Sequence, residues 1–131
     1  MQAEHADTAA TAKAPESART IADWVMARLQ EAPGHVAVVD GPHRITRAEL
    51  FGQACRLGSG LQRLGLQPGA SIAFQLPNWH EACVVNLAAV LYGYRLVPLL
   101  PMYRETEIRF ILAQCGAEAI FLPAQFRGLS Y

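Results

Sequence analysis

Residues 71–99 read SIAFQLPNWHEACVVNLAAVLYGYRLVPL, and how that stretch divides decides the fold. Residues 82–103 are almost entirely apolar, close to the ~20 needed to span a bilayer. Asn86 and Arg95 interrupt the run, and Pro98 and Pro101 forbid a continuous helix. The stretch therefore divides into a strand over 71–76, stopped by Pro77-Asn78, a helix over 79–92 that ends at Gly93, and a strand over 95–99. The helix is apolar nearly all round, which predicts burial on every side. Strand, helix and strand with short gaps make a βαβ unit, and hence parallel strands.

Working outward, Pro101-Met102-Tyr103 is a loop and 106–114 a helix, with Ile108, Ile111 and Leu112 on its inner side. Gly116 ends that helix, 118–122 is a strand, and the remainder through Tyr131 reads as loop. Upstream, Thr46-Arg47-Ala48-Glu49 is a capping box. It opens a helix with Leu50, Ala54, Leu57, Leu61 and Leu64 on one face, closed by Gly65 in the left-handed conformation. Gly58 and Gly60 within it permit close packing. Residues 36–40 and Arg44-Ile45 form a hairpin about Gly41-Pro42-His43, and Thr20 with Asp23 caps a first helix carrying Trp24 and Leu29. Residues 1–18, rich in Ala and Thr, read as a disordered tail with no apolar targeting segment, and 19–131 as one α/β unit. The expected class is α/β: a mainly parallel sheet with flanking helices and a short N-terminal β-hairpin.

The 131 residues carry 11 basic and 11 acidic groups, so nothing in the charge favours nucleic acid or an anionic membrane. Apolar residues make up 52%, more than a domain this size buries easily. Cys55, Cys83 and Cys115 show no C-x-x-C spacing, which argues against zinc fingers and redox dithiols and predicts buried free thiols in a reducing cytoplasm. His35 and His43 flank a strand, but two histidines without a third ligand make a poor metal site. His80-Glu81 reads as a solvated first helical turn, with the carboxylate favoured there by the helix dipole. Gly58-Ser59-Gly60 lacks the lysine of a phosphate loop and lies inside a helix. Trp79 follows the C-terminal end of a strand, where open α/β sheets bind ligands, and is the one crevice candidate.

The ordered series Ile45-Thr46-Arg47-Ala48-Glu49-Leu50, then 61–69, Gln75-Leu76-Pro77-Asn78, Gly93 and Val97-Pro98-Leu99 resembles the N-terminal portion of adenylate-forming acid–CoA ligases. Arg47 stands where that family's first core motif usually has Tyr. The family-signature positions on this resemblance are Thr46, Glu49, Leu50, Gly65, Pro77, Asn78, Gly93 and Pro98. Residues 101–108 and 126–131 are similar to the branch acting on aryl, alicyclic or medium-chain carboxylates, and Leu100 replaces the Asn or Asp of many long-chain enzymes. The resemblance implies the N-terminal subdomain of the adenylate-forming fold. For the full-length family it implies ATP, Mg²⁺ and CoA; for this chain, no catalytic, cofactor or metal residues. The phosphate loop ending in Lys, the Mg²⁺ and ribose carboxylates and the mobile lysine lie downstream in that family, and Lys13 is the only lysine here. The chain is thus expected to be an inactive, structural N-terminal fragment whose partner is the missing C-terminal part of a ligase. Alternatives are a dimerisation module pairing with itself or a ligase segment through a sheet edge or apolar face, and a small-carboxylate-binding domain.

Overall fold

The computed structural model describes residues 19–131; the tail reading, with His5 and Lys13, falls outside them. The elements are α1 (Ile21–Glu31), β1 (Val36–Asp40), β2 (His43–Thr46), α2 (Arg47–Arg63), β3 (Ser71–Phe74), α3 (His80–Tyr92), β4 (Arg95–Pro98), α4 (Glu105–Cys115), β5 (Ala117–Phe121), β6 (Gln125–Phe126) and β7 (Leu129–Ser130). The main sheet is parallel and three-stranded, in the order β4-β3-β5. β1 and β2 form a separate antiparallel hairpin, as the turn at Gly41-Pro42 predicts. The chain leaves β3, crosses to β4 on one side and returns past β3 to β5 on the other. Right-handed crossovers then put α3 and α4 on opposite faces of the sheet.

β3 is the hub because it alone has hydrogen-bonded neighbours on both edges, and its four residues are all buried. Ile72, Phe74, Leu61, Leu66, Val85 and Tyr94 join in one apolar cluster. α2 ends as its Gly65 predicts. With Gly65 at φ 97°, the Gly65 amide donates to Gln62 and the Leu66 amide to Leu61, and both leucines enter the cluster. Gly93, at φ 71°, ends α3 in the same left-handed way.

The capping boxes form fully. Thr46 N–H donates to Glu49 Oε2 at 2.8 Å and Glu49 N–H to Thr46 Oγ1 at 3.2 Å. Thr20 and Asp23 do the same for α1. Arg47, the departure from Tyr, donates from Nη1 to the Arg28 carbonyl at 2.8 Å, tying the last turn of α1 to the start of α2. Gly58 provides the close approach expected of it. A Cβ there would lie 2.2 Å from two ring carbons of Tyr92, whose hydroxyl reaches back to the Cys55 carbonyl at 3.0 Å. Gly60 has no such neighbour.

Three readings need correction. Residues 125–130 are not loop but a two-stranded hairpin, turning at Arg127 and Gly128 with φ of 51° and 77°. Positive φ at both central positions is the turn that fits strand twist; an Arg in the first of them hides the signal. α3 is buried on one face only, through Val84, Val85, Ala88 and Ala89. Its Leu87 and Val90 line an open apolar cavity of about 470 Å³ shared with Trp24, Leu29, Leu50 and Phe51. The three cysteines are free, as expected, but half-buried rather than buried. No helix among the described residues is long and apolar enough to cross a membrane.

Gly58→Ala should cost about 1–2 kcal/mol, because overpacking against Tyr92 outweighs a helix-propensity gain of about 1 kcal/mol. Gly60→Ala, whose Cβ meets only Arg63 Nη2 at 3.8 Å, should instead stabilise the fold. Urea unfolding of both variants checks this; equal stability of Gly58→Ala and the parent would refute the close contact. The caps carry a pH signature. The Thr20 hydroxyl lowers the Asp23 pKa, the Thr46 amide that of Glu49 and the Arg104 amide that of Glu107. A depressed folded-state pKa stabilises above the unfolded value and loses that contribution as pH falls through the folded one. The thermal midpoint should therefore drop on acidification below about pH 4. Glu49→Gln, which leaves the Thr46 cap in place but removes the titrating carboxylate, should flatten the acid limb. An unchanged acid limb in thermal melts of that variant would contradict the assignment to Glu49.

Candidate functional site

Where adjacent parallel strands send their following segments to opposite faces, a crevice opens beyond their carboxyl ends. Here those strands are β3, followed by Pro77 and Asn78, and β4, followed by Leu100, Pro101 and Met102. These residues line a crevice of about 670 Å³, closed on its far side by Phe126, Arg127 and Tyr131 from the last hairpin. Its volume is that of a small-molecule site.

Buried Gln75 holds the floor in place. It follows β3 directly, and its Nε2 donates to the carbonyls of Leu100 and Tyr103, both at 2.9 Å. Those two bonds fix the loop after β4 against the end of β3. The wall is fixed by Arg104 and Tyr131. Arg104 Nη1 donates to the carbonyls of Pro101 and Tyr103, and its guanidinium lies 5.5 Å from the Tyr131 ring centroid. The Tyr131 hydroxyl donates to the Pro101 carbonyl at 2.7 Å. Arg127 stands 5.3 Å over the Phe126 ring. Among the described residues, the charged side chains of the lining are Arg104 and Arg127, with no Asp or Glu. A smaller cavity of about 200 Å³, lined by Ile108, Ile120 and Leu122, shares Arg104 and Tyr131 with it.

Of the residues singled out in the sequence, Pro77 and Asn78 line this crevice. Trp79 does not. It stands behind the wall, edge-on to Phe126 with ring centroids 5.8 Å apart. Thr46 and Glu49 cap α2, Leu50 faces the apolar cavity, and Gly65 and Gly93 end helices. Pro98 is the last residue of β4, opposite Phe74. The residues that sequence reading missed are the lining group Arg104, Phe126, Arg127 and Tyr131, and Gln75, which holds the loop after β4. They come from three segments, so no local pattern announces them, although the motif series includes each one.

His80-Glu81 departs from its reading as a solvated turn. The His80 ring is only 21% exposed, and its Nδ1 lies 2.9 Å from Asp40 Oδ2 at the end of β1. The same carboxylate oxygen accepts the His80 backbone N–H at 2.9 Å. It thereby fills the cap position of α3, which Trp79 leaves without a side-chain hydrogen bond. The His80 side chain, as donor, holds the Asp40 carboxyl below the ordinary carboxylate range. His43 sits beside this pair, its ring centroid 5.1 Å from that of His80, while His35 stands exposed just before β1.

The AMP-binding enzyme family matches residues 25–129. A medium-chain fatty-acid–CoA ligase of Escherichia coli (strain K12) is 36% identical over 109 residues, which are 82% of this chain and 19% of that protein. A 2-hydroxy-7-methoxy-5-methyl-1-naphthoate–CoA ligase of Streptomyces carzinostaticus is 30% identical over 83% of this chain and 20% of its own length. O-succinylbenzoate coenzyme A synthetase from Bacillus subtilis, solved in complex with AMP, superposes with a TM-score of 0.74. It is 27% identical and covers 79% of this chain and 27% of that one. The chain thus spans about a fifth of the length of the curated relatives it matches. Its parallel sheet, flanking helices and separate hairpin are those of the N-terminal subdomain of adenylate-forming enzymes. With a match that takes in every element from within α1 to the last hairpin, the chain belongs to the AMP-binding enzyme family.

Proposed function

We propose that this chain is the N-terminal scaffold of an ATP-dependent acid–CoA ligase acting on a medium-chain or aryl carboxylate. In the reaction, the carboxylate attacks the α-phosphate of ATP to give an acyl-adenylate and pyrophosphate, and a thiol then displaces AMP. The observation that carries this reading is the match over 25–129, together with relatives at 36% and 30% identity that are named as acid–CoA ligases.

The chain's own part in that chemistry is to hold the sheet and one crevice in place. Its described residues include no lysine and no Ser/Thr/Gly-rich loop ending in one. Magnesium does not fit the crevice: the described lining offers two guanidinium groups and no Asp or Glu side chain, and Mg²⁺ takes hard anionic oxygen ligands. On this reading the 131-residue chain alone is structural.

A second reading rests on the crevice charge. Arg104 and Arg127 make it complementary to an anion, and the Trp79–Phe126 contact would report occupation by an aryl or medium-chain acid.

The purified chain should show no ATP–pyrophosphate exchange with octanoate, benzoate or cyclohexanecarboxylate; exchange above the no-acid background would overturn the structural reading. Titrating the same acids into a Trp24→Phe variant, and following Trp79 fluorescence, tests the crevice. Saturable quenching that Arg127→Ala weakens by about tenfold, as expected for a lost charge-assisted pair, supports carboxylate binding. A flat titration removes that reading.

A further inference from the structure

We propose that Asp40, His80 and Glu81 form a divalent metal site of the zinc or cobalt type, which staples the β1–β2 hairpin to the first turn of α3. The site lies apart from the crevice and draws on none of its lining residues.

Two carboxylates meet one imidazole nitrogen at this corner. His80 Nδ1 lies 2.9 Å from Asp40 Oδ2 and 3.3 Å from Glu81 Oε2. A carboxylate accepts and never donates, so Nδ1 must carry the imidazole proton. One N–H thus faces two carboxylate oxygens, and the three donor atoms all lie within 4.8 Å of one another. Two like charges held this close repel, and a single proton bonds well to only one of them.

A divalent cation resolves that arrangement. At metal–ligand distances of about 2.0–2.1 Å, tetrahedral donors stand about 3.3–3.4 Å apart. The observed separations from Nδ1 differ from this by a few tenths of an ångström, within reach of side-chain torsion. On binding, the imidazole proton moves from Nδ1 to Nε2, Nδ1 offers its lone pair, and each carboxylate gives one oxygen. Two carboxylate charges balance the cation, which offsets the unfavourable positive end of the α3 dipole beneath it. One imidazole nitrogen with two carboxylate oxygens suits zinc or cobalt better than magnesium or calcium, which prefer oxygen throughout.

The positions are set by separate elements. The tight turn at Gly41-Pro42 fixes Asp40 at the end of β1, and His80 and Glu81 occupy consecutive positions at the start of α3. The Glu81 side chain is 54% exposed, so the fourth coordination position opens to water. Three protein ligands and one water still tie the hairpin to α3, and a ligand that binds the folded state alone raises the unfolding midpoint.

The test is titration of the 131-residue protein with CoCl₂, read by visible d–d absorption, and with ZnCl₂ in competition with a chromophoric chelator. One saturable ion per chain is expected, with a thermal midpoint raised by zinc. Glu81→Gln should weaken affinity by about tenfold or more, since even outer-sphere changes cost that much. His80→Ala should abolish binding, and His35→Gln should leave it unchanged. Because Glu81 is exposed and caps nothing, Glu81→Gln retains the fold by far-ultraviolet circular dichroism and stays decisive even if His80→Ala does not fold. Absent saturable binding, unchanged affinity in Glu81→Gln, or sulfur-to-cobalt charge transfer in the near ultraviolet, which would mean cysteine ligation, would each overturn the proposal.

Discussion

The subdomain depends on one buried strand. β3 shares its backbone hydrogen bonds with β4 on one edge and β5 on the other, so every residue from 71 to 74 is held on both sides. Buried peptide groups must be paired, and a strand with no solvent-facing edge has no other way to satisfy them. The ladder runs one step further on each flank: the Gln75 amide donates to Phe121 and the Leu99 amide to Phe74. That extra step brings Gln75 to the sheet's carboxyl end with its side chain fully buried, where its amide binds the loop after β4. The central strand and the crevice are thus consequences of the same pairing.

The helices follow from what β3 leaves uncovered. α2 supplies Leu61, the turn after it Leu66, and α3 Val85 and Ala89. The two helices come together where Gly58 leaves room for the Tyr92 ring. A glycine inside a helix costs about 1 kcal/mol of propensity, and here it permits an approach that any Cβ would block. α1 is joined more loosely. Its own residues are half-buried or exposed, and the Arg47 guanidinium donates to the Arg28 carbonyl where α1 meets α2. The apolar cavity beneath α1 is what that loose seating leaves open.

Several large apolar side chains stand in solvent. Leu64, Leu100, Met102 and Phe110 are all more than half exposed. Leu100 and Met102 also line the crevice, so its apolar half is continuous with exposed surface. In relatives about four times as long, much more chain is available to cover such surface. The arginines of the crevice are held otherwise: Arg104 spends donors on two carbonyls and stacks on Tyr131, which orients its charge without neutralising it.

The sequence by itself determined the order of the elements from α1 to β5 and the parallel pairing, and placed the element ends to within two residues. Those features rest on local rules: a capping box at Thr46, left-handed glycines at 65 and 93, prolines at 77 and 98, and apolar periods that differ between strand and helix. It also carried the family resemblance, because the motif series is a linear one. Tertiary structure alone decided which residues meet. Gln75 reaching the Leu100 and Tyr103 carbonyls, Asp40 capping a helix that starts forty residues later, and Trp79 standing behind the crevice are long-range contacts without a periodic signature. The β6–β7 hairpin escaped for a related reason: its turn needs positive φ at Arg127, which local preference resists and only pairing across the hairpin stabilises. Caps and periods are short-range physics that a linear chain displays, whereas a site is a coincidence of side chains that exists only after the backbone has closed around it.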